Sequence, residues 1–102
     1  MKEHRVYEPH EEIAAEDKLF NAVLQLRNIA ECRAFFRDLC TPAELQAMKD
    51  RWAVAELLAA GLTYRDIHNR TGVSVTTIGR VARCLADDPP GYAAVLQRMG
   101  KT

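Results

Sequence analysis

Gly72 is the residue that most constrains what this chain can fold into. It stands between two short stretches, residues 63–71 and 74–85, in which apolar residues recur at helical spacing. Glycine reaches positive φ without steric cost, so the pattern predicts two helices joined by a tight turn at a steep angle. Ile67 from the first stretch, Val73 from the turn, and Ile78 and Val81 from the second stand at the offsets that would lock the pair together. Thr63 and Ser74 stand where N-caps are needed, because their hydroxyls can accept from the free N–H groups of a first turn. The expected helix-turn-helix runs over about 63–85.

The side of the second helix away from those apolar residues would carry Val75, Thr76, Gly79, Arg80 and Arg83. Short hydroxyls and arginines suit a groove lined with phosphates and base edges, so the expected partner is double-stranded DNA. Arg65, near the start of the first helix, could reach base edges or phosphate, and Tyr64, Ser74 and Thr76 are candidate phosphate donors. Two residues fit this pattern less well. His68 stands where such motifs carry a small residue, because the two helices cross closely there. Gly79, inside a helix, costs roughly 1 kcal/mol relative to alanine. The plainer alternative is a helical hairpin with a glycine turn and a solvated arginine face.

The charge distribution separates these readings better than the total. Lys and Arg balance Asp and Glu at a formal net charge of +0. Residues 1–20 hold six carboxylates against three basic side chains, whereas residues 61–85 hold Arg65, Arg70, Arg80 and Arg83 against Asp66 alone. A neutral chain with one basic segment can still meet phosphates through that segment.

The rest of the chain reads as helix. Residues 1–11, with Pro9, show no apolar periodicity and are expected to form an arm ahead of a domain over 12–102. Leu19, Val23 and Leu26, with Phe20 and Leu24, give a wide apolar stripe and predict a helix over 12–27. A shorter helix is expected over 31–39, turning Ala34, Phe35 and Leu39 inward. Thr41-Pro42-Ala43-Glu44 is a strong helix start, with a capping threonine, proline at the first helical position and glutamate three residues after the cap. The helix it opens carries Leu45, Met48, Trp52 and Ala55, flanked by Val54, Leu57 and Leu58, and Gly61 ends it. It is expected to be the central spine. After the break at Asp87-Asp88-Pro89-Pro90-Gly91, a last helix over 92–99 would align Tyr92, Val95, Leu96 and Met99. No stretch reads as a strand, so the fold class is all-α.

Several functions are disfavoured. With 102 residues, 48% hydrophobic and 27% charged, the chain fits one globular domain with a thin core, which a second copy could thicken. No apolar run approaches the roughly 18 residues of a membrane span. The opening residues lead into carboxylates rather than an apolar segment, so the expected location is the cytoplasm. Cys32, Cys40 and Cys84 are odd in number and lack CxxC spacing, so buried reduced thiols are expected rather than disulfides or a zinc ribbon. His4, His10 and His68 share no ligand spacing, and no metal is expected. No phosphate-cradling loop, nucleophile elbow or HExxH is present, so the chain is not expected to be an enzyme.

Leu39-Cys40-Thr41-Pro42-Ala43-Glu44, then Arg51, Glu56-Leu57-Leu58, Gly61 and the segment 63–81 resemble the Trp repressor family. Its YerC/YecD branch is similar also at Glu31-Cys32-Arg33-Ala34-Phe35-Phe36 and at Arg80-Val81-Ala82-Arg83-Cys84-Leu85. The resemblance spans about 17–99 and implies a six-helix, intertwined homodimer with two helix-turn-helix heads that acts as a transcriptional regulator, most simply a repressor. It also implies that Arg65, Val75, Thr76 and Gly79 face operator DNA. The family's tryptophan corepressor lies between arginines matching Arg51 and Arg80, with Thr41 nearby, so L-tryptophan or another small acidic or amino-acid effector is conceivable there. Glycine and serine stand in the repressor where this chain has Val81 and Cys84, and the valine would narrow an indole-sized slot. The alternative function is a dimeric small-molecule-sensing or protein-interaction module that keeps the fold without specific DNA binding.

Overall fold

The computed structural model describes residues 8–101. They form six α-helices and, among the described residues, no strand: α1 (Pro9–Val23), α2 (Ile29–Leu39), α3 (Pro42–Ala59), α4 (Tyr64–Thr71), α5 (Val75–Cys84) and α6 (Tyr92–Arg98). The described chain falls into two compact units that divide between Leu39 and Cys40.

The first unit contains α1 and α2. Helix α1 opens at Pro9, three residues ahead of the expected start; residues 1–7 of the expected arm lie outside the described residues. Proline at the first helical position gives up an N–H that has no helical partner anyway. The Glu11 carboxylate accepts from the Glu8 N–H at 3.3 Å, and the Glu8 carbonyl accepts from the N–H groups of Glu11 and Glu12. The helix ends at Val23 rather than Arg27 because a second start signal intervenes. Asn28 Oδ1 accepts from the Glu31 N–H at 2.9 Å, while the Glu31 carboxylate accepts from the Arg27 N–H at 2.9 Å. The reciprocal pair frees residues 24–28 from α1 and starts α2 at Ile29, two residues before expected. No residue of either helix is fully buried. Ala34 and Leu39, expected to point inward, are exposed, Phe35 is half-buried, and its ring meets Phe36 edge-on at 5.5 Å.

The second unit holds the core. Helix α3 is the spine, packed against α4, α5 and α6, while α4 and α5 also pack on each other. Its start is as expected: Thr41 Oγ1 accepts from the Glu44 N–H at 3.1 Å and the Glu44 carboxylate accepts from the Thr41 N–H at 2.8 Å. The Glu44 carboxyl is thereby held below the usual carboxylate range, first by the Thr41 backbone N–H and then by the Thr41 side chain. At the other end Gly61 takes φ +91°, and the Leu62 N–H reaches back to the Leu57 carbonyl at 3.1 Å. That bond satisfies a carbonyl the helix leaves free.

Val54 and Ala55 of α3, Ile67 of α4, Val73 of the turn, Ile78 and Val81 of α5, and Leu96 of α6 form one buried cluster. Trp52 and Tyr92 border it, their rings stacked at 6.4 Å. All four residues expected to lock α4 to α5 are in this cluster. Met48, Val95 and Met99 are exposed, so the apolar faces of α3 and α6 are wider than one chain covers. Cys32, Cys40 and Cys84 are free thiols, half-buried rather than enclosed.

Candidate nucleic-acid interface

Helix α4 begins at a cap made by Thr63, whose Oγ1 accepts from the Asp66 N–H at 3.1 Å. Tyr64 and Arg65 occupy its first turn and are exposed, Tyr64 to 43%. The helix ends where Gly72 adopts φ +74°, ψ 0°, the left-handed conformation expected of it, and donates its N–H to the His68 carbonyl at 2.8 Å. Helix α5 begins three residues later, at Val75, after its cap Ser74. Ser74 Oγ accepts from the Thr77 N–H at 3.2 Å and donates to Thr77 Oγ1 at 3.1 Å. Ser74 is thus a helix cap first, and its hydroxyl proton is already engaged.

The two faces of α5 separate as the period of 3.6 demands. Ile78 and Val81 are buried; Val75, Thr76, Arg80 and Arg83 are exposed, Val75 to 53%. Gly79 lies half-buried on that second face. A Cβ added there would sit 3.6 Å from Arg83 Nη1 and 3.9 Å from Tyr64 Cε2, so the start of α4 and the end of α5 converge over this glycine. Both distances are ordinary van der Waals contacts. Packing does not require a glycine at position 79.

Arg65, Arg70, Arg80 and Arg83 are all exposed, and none forms an ion pair among the described residues. Four guanidinium groups and one carboxylate, Asp66, therefore leave this segment electropositive. An exposed apolar side chain, hydroxyls and unpaired arginines on one side of a short, well-capped helix can contact phosphates and base edges together.

The turn holds two residues whose roles the residue pattern does not announce. The Thr71 hydroxyl donates to the Ile67 carbonyl at 2.7 Å and accepts from the Val73 N–H at 3.1 Å. His68, which looked too large for its position, keeps its side chain exposed at the turn and places Nδ1 2.7 Å from the Val73 carbonyl oxygen. It avoids the helix crossing by lying across the turn.

The candidate effector residues are differently placed. Thr41 is exposed and its hydroxyl caps α3; Arg51 is half-buried in α3; Arg80 is exposed on α5. Neither arginine forms an ion pair among the described residues. Val81 is 1% exposed and belongs to the core. A cleft of about 350 Å³ beside α6 is lined by Cys84, Asp87, Pro89, Gly91 and Tyr92 and includes none of the three. Among the described residues no group of three or more His, Cys, Asp and Glu side chains is arranged to hold a metal ion, and no helix is long and apolar enough to cross a membrane.

Known proteins share this architecture and sequence. Residues 14–100 match the family described as Trp repressor protein. The uncharacterised protein YerC of Bacillus subtilis (strain 168) is 44% identical over 86 residues, 84% of this chain and 83% of YerC. A candidate Trp repressor of Staphylococcus aureus superposes with a TM-score of 0.80 at 40% identity, over 94% of this chain and 98% of that one. A TrpR-like protein from Eubacterium eligens ATCC 27750 superposes with a TM-score of 0.78, also at 40% identity, over 85% of this chain and 90% of that one. The six helices, the match over residues 14–100 and these identities have one meaning: the chain belongs to the Trp repressor family, in its YerC-like branch.

Proposed function

We propose that the chain is a sequence-specific DNA-binding transcriptional regulator, most simply a repressor, that acts as a homodimer through α4 and α5. The observation that carries this reading is the orientation of α5. Its apolar side closes the core, while Val75, Thr76, Arg80 and Arg83 stand in solvent with no ion pair among the described residues. Membership of a family named for a repressor supports it. Arg65 and Arg80 are assigned to base edges, and Arg70 and Arg83 to phosphates. A two-fold dimer would set its two α5 helices about 34 Å apart, in successive major grooves, on a near-palindromic site.

The test is binding to fragments selected from genomic DNA, measured against salt. For roughly 6–10 phosphate contacts, affinity should fall on the order of 10³–10⁵-fold between about 50 and 200 mM salt. Arg70→Ala and Arg83→Ala should weaken all sequences alike and flatten the salt slope. Arg65→Ala and Arg80→Ala should instead cost about 1–3 kcal/mol and relax discrimination at particular base pairs. Salt-independent binding, or selection that returns no common sequence, rules the reading out in favour of an interaction module.

A further inference from the structure

We infer that His68 is the positioning residue that sets the angle at which α5 is presented. This role rests on the DNA-binding reading of α5.

The chemistry of the bond is unambiguous. A carbonyl oxygen only accepts, so the Nδ1 atom 2.7 Å from Val73 O carries the proton. The neutral ring is therefore the Nδ1–H tautomer, and a protonated ring keeps the same donor. His68 consequently holds both sides of Gly72: its carbonyl takes the Gly72 N–H at 2.8 Å, and its ring donates to the Val73 carbonyl. Thr71 takes the remaining group, the Val73 N–H, at 3.1 Å. Every backbone polar group from the Gly72 N–H to the Val73 carbonyl, apart from the Gly72 carbonyl, is thereby fixed by a residue of α4.

The Val73 carbonyl leads directly into Ser74, the cap of α5. Pinning it fixes the torsion through which α5 leaves the turn. The apolar contacts of Ile67, Val73, Ile78 and Val81 hold α5 against the core, but they are not directional. A hydrogen bond is directional. Removing it should spare most of the stability and alter the pose of Val75, Thr76, Arg80 and Arg83 on base edges. Contacts between flexible arginines and phosphates tolerate such a change better than base contacts do.

The experiment has a spectroscopic part and a binding part. In the intact wild-type chain, ¹⁵N NMR of the His68 ring should show the Nδ1–H tautomer; an Nε2–H tautomer overturns the inference whatever the DNA does. The binding part compares wild type, His68→Ala and His68→Asn on a fragment selected by the wild type and on random-sequence duplex. His68→Ala should lower the ratio of specific to non-specific affinity about tenfold, the scale of one hydrogen bond. His68→Asn carries an N–H on the same bond path as Nδ1 and should restore most of the ratio, while melting temperatures stay close to wild type. An unchanged ratio in a folded His68→Ala overturns the positioning role alone. If alanine melts near wild type but asparagine fails to restore the ratio, the role is likewise overturned. A wild type that shows the Nδ1–H tautomer but discriminates no sequence overturns the DNA-binding reading, and this role falls with it.

Discussion

Gly72 and Gly79 stand seven residues apart and both interrupt helical propensity between Thr63 and Leu85, but they answer to different demands. At Gly72 the backbone itself makes the demand, since φ is +74° and no L side chain adopts that conformation freely. Gly72→Ala should therefore destabilise the second unit by roughly 1–2 kcal/mol, although its Cβ would meet nothing within 4 Å. At Gly79 the backbone is helical and the space is open to a methyl group, with ordinary contacts to Arg83 and Tyr64. Gly79→Ala should then stabilise by about 1 kcal/mol, raising the melting temperature by roughly 4–8 °C for a chain of this size. The same methyl stands on the face assigned to DNA, so specific affinity should fall as stability rises. Thermal melting and DNA titration of one variant check both halves, and a loss of stability would show that the site is tighter than its distances indicate. Gly72 is legible in the sequence because positive φ leaves a compositional mark. The His68 bond to Val73 leaves none: it needs the chain to fold back across the turn before donor and acceptor meet.

Helix boundaries were legible where the signal was wholly local. Thr41, Thr63 and Ser74 each cap the helix expected of them, because a hydroxyl and an N–H three residues on need no tertiary help. The starts of α1 and α2 were not, for a related reason. Pro9 signals a break when seen alone, and becomes a first helical residue only beside Glu8 and Glu11. Asn28 follows directly on the apolar stripe that ends at Leu26, so the stripe extends the first helix past Val23 and hides the pairing of Asn28 with Glu31. The cap of α3 also gives a pH dependence. Bonds from Thr41 lower the Glu44 carboxyl pKa in the folded chain relative to the unfolded one. The ionised cap thus contributes fully above the unfolded carboxyl value, and that contribution is lost as pH falls through the lower folded value. Glu44→Gln keeps a neutral side-chain acceptor and removes the titration. Its melting temperature should lie below wild type at neutral pH and converge with it in acid. Thr41→Ala should cost about 1 kcal/mol at neutral pH. A gap between wild type and Glu44→Gln that persists unchanged into acid would remove the carboxylate from the account.

Taken as a whole, the molecule exposes more apolar surface than its small core can justify. The second unit has a buried cluster of its own, but α1 and α2 bury no residue completely, and Ile13, Phe20, Leu24 and Ile29 are 62%, 53%, 76% and 74% exposed. Scattered surface apolar residues need no explanation, whereas Ile13, Phe20 and Leu24, aligned at helical spacing along α1 and its C-cap, with Ile29 opening α2, mark an interaction surface. A second copy is the occupant that the proposed regulator requires, since two α5 helices must be held at a fixed spacing to read a two-fold site. In the proposed dimer, with these faces paired, folding and assembly form one equilibrium, so the melting temperature should rise with protein concentration. Placing a carboxylate in the stripe, as in Phe20→Glu or Leu24→Glu, should shift the chain toward monomer in sedimentation. It should also weaken specific DNA binding by roughly 10²–10⁴-fold, the scale of losing a linked second contact. Both residues lie outside α4 and α5, so any effect on DNA must pass through assembly. The ordering of the two losses is the decisive measurement: DNA affinity should track the dimer fraction across a concentration series. Full-strength binding by a variant that sediments as a monomer would separate DNA recognition from pairing and leave the exposed faces of α1 and α2 to some other partner.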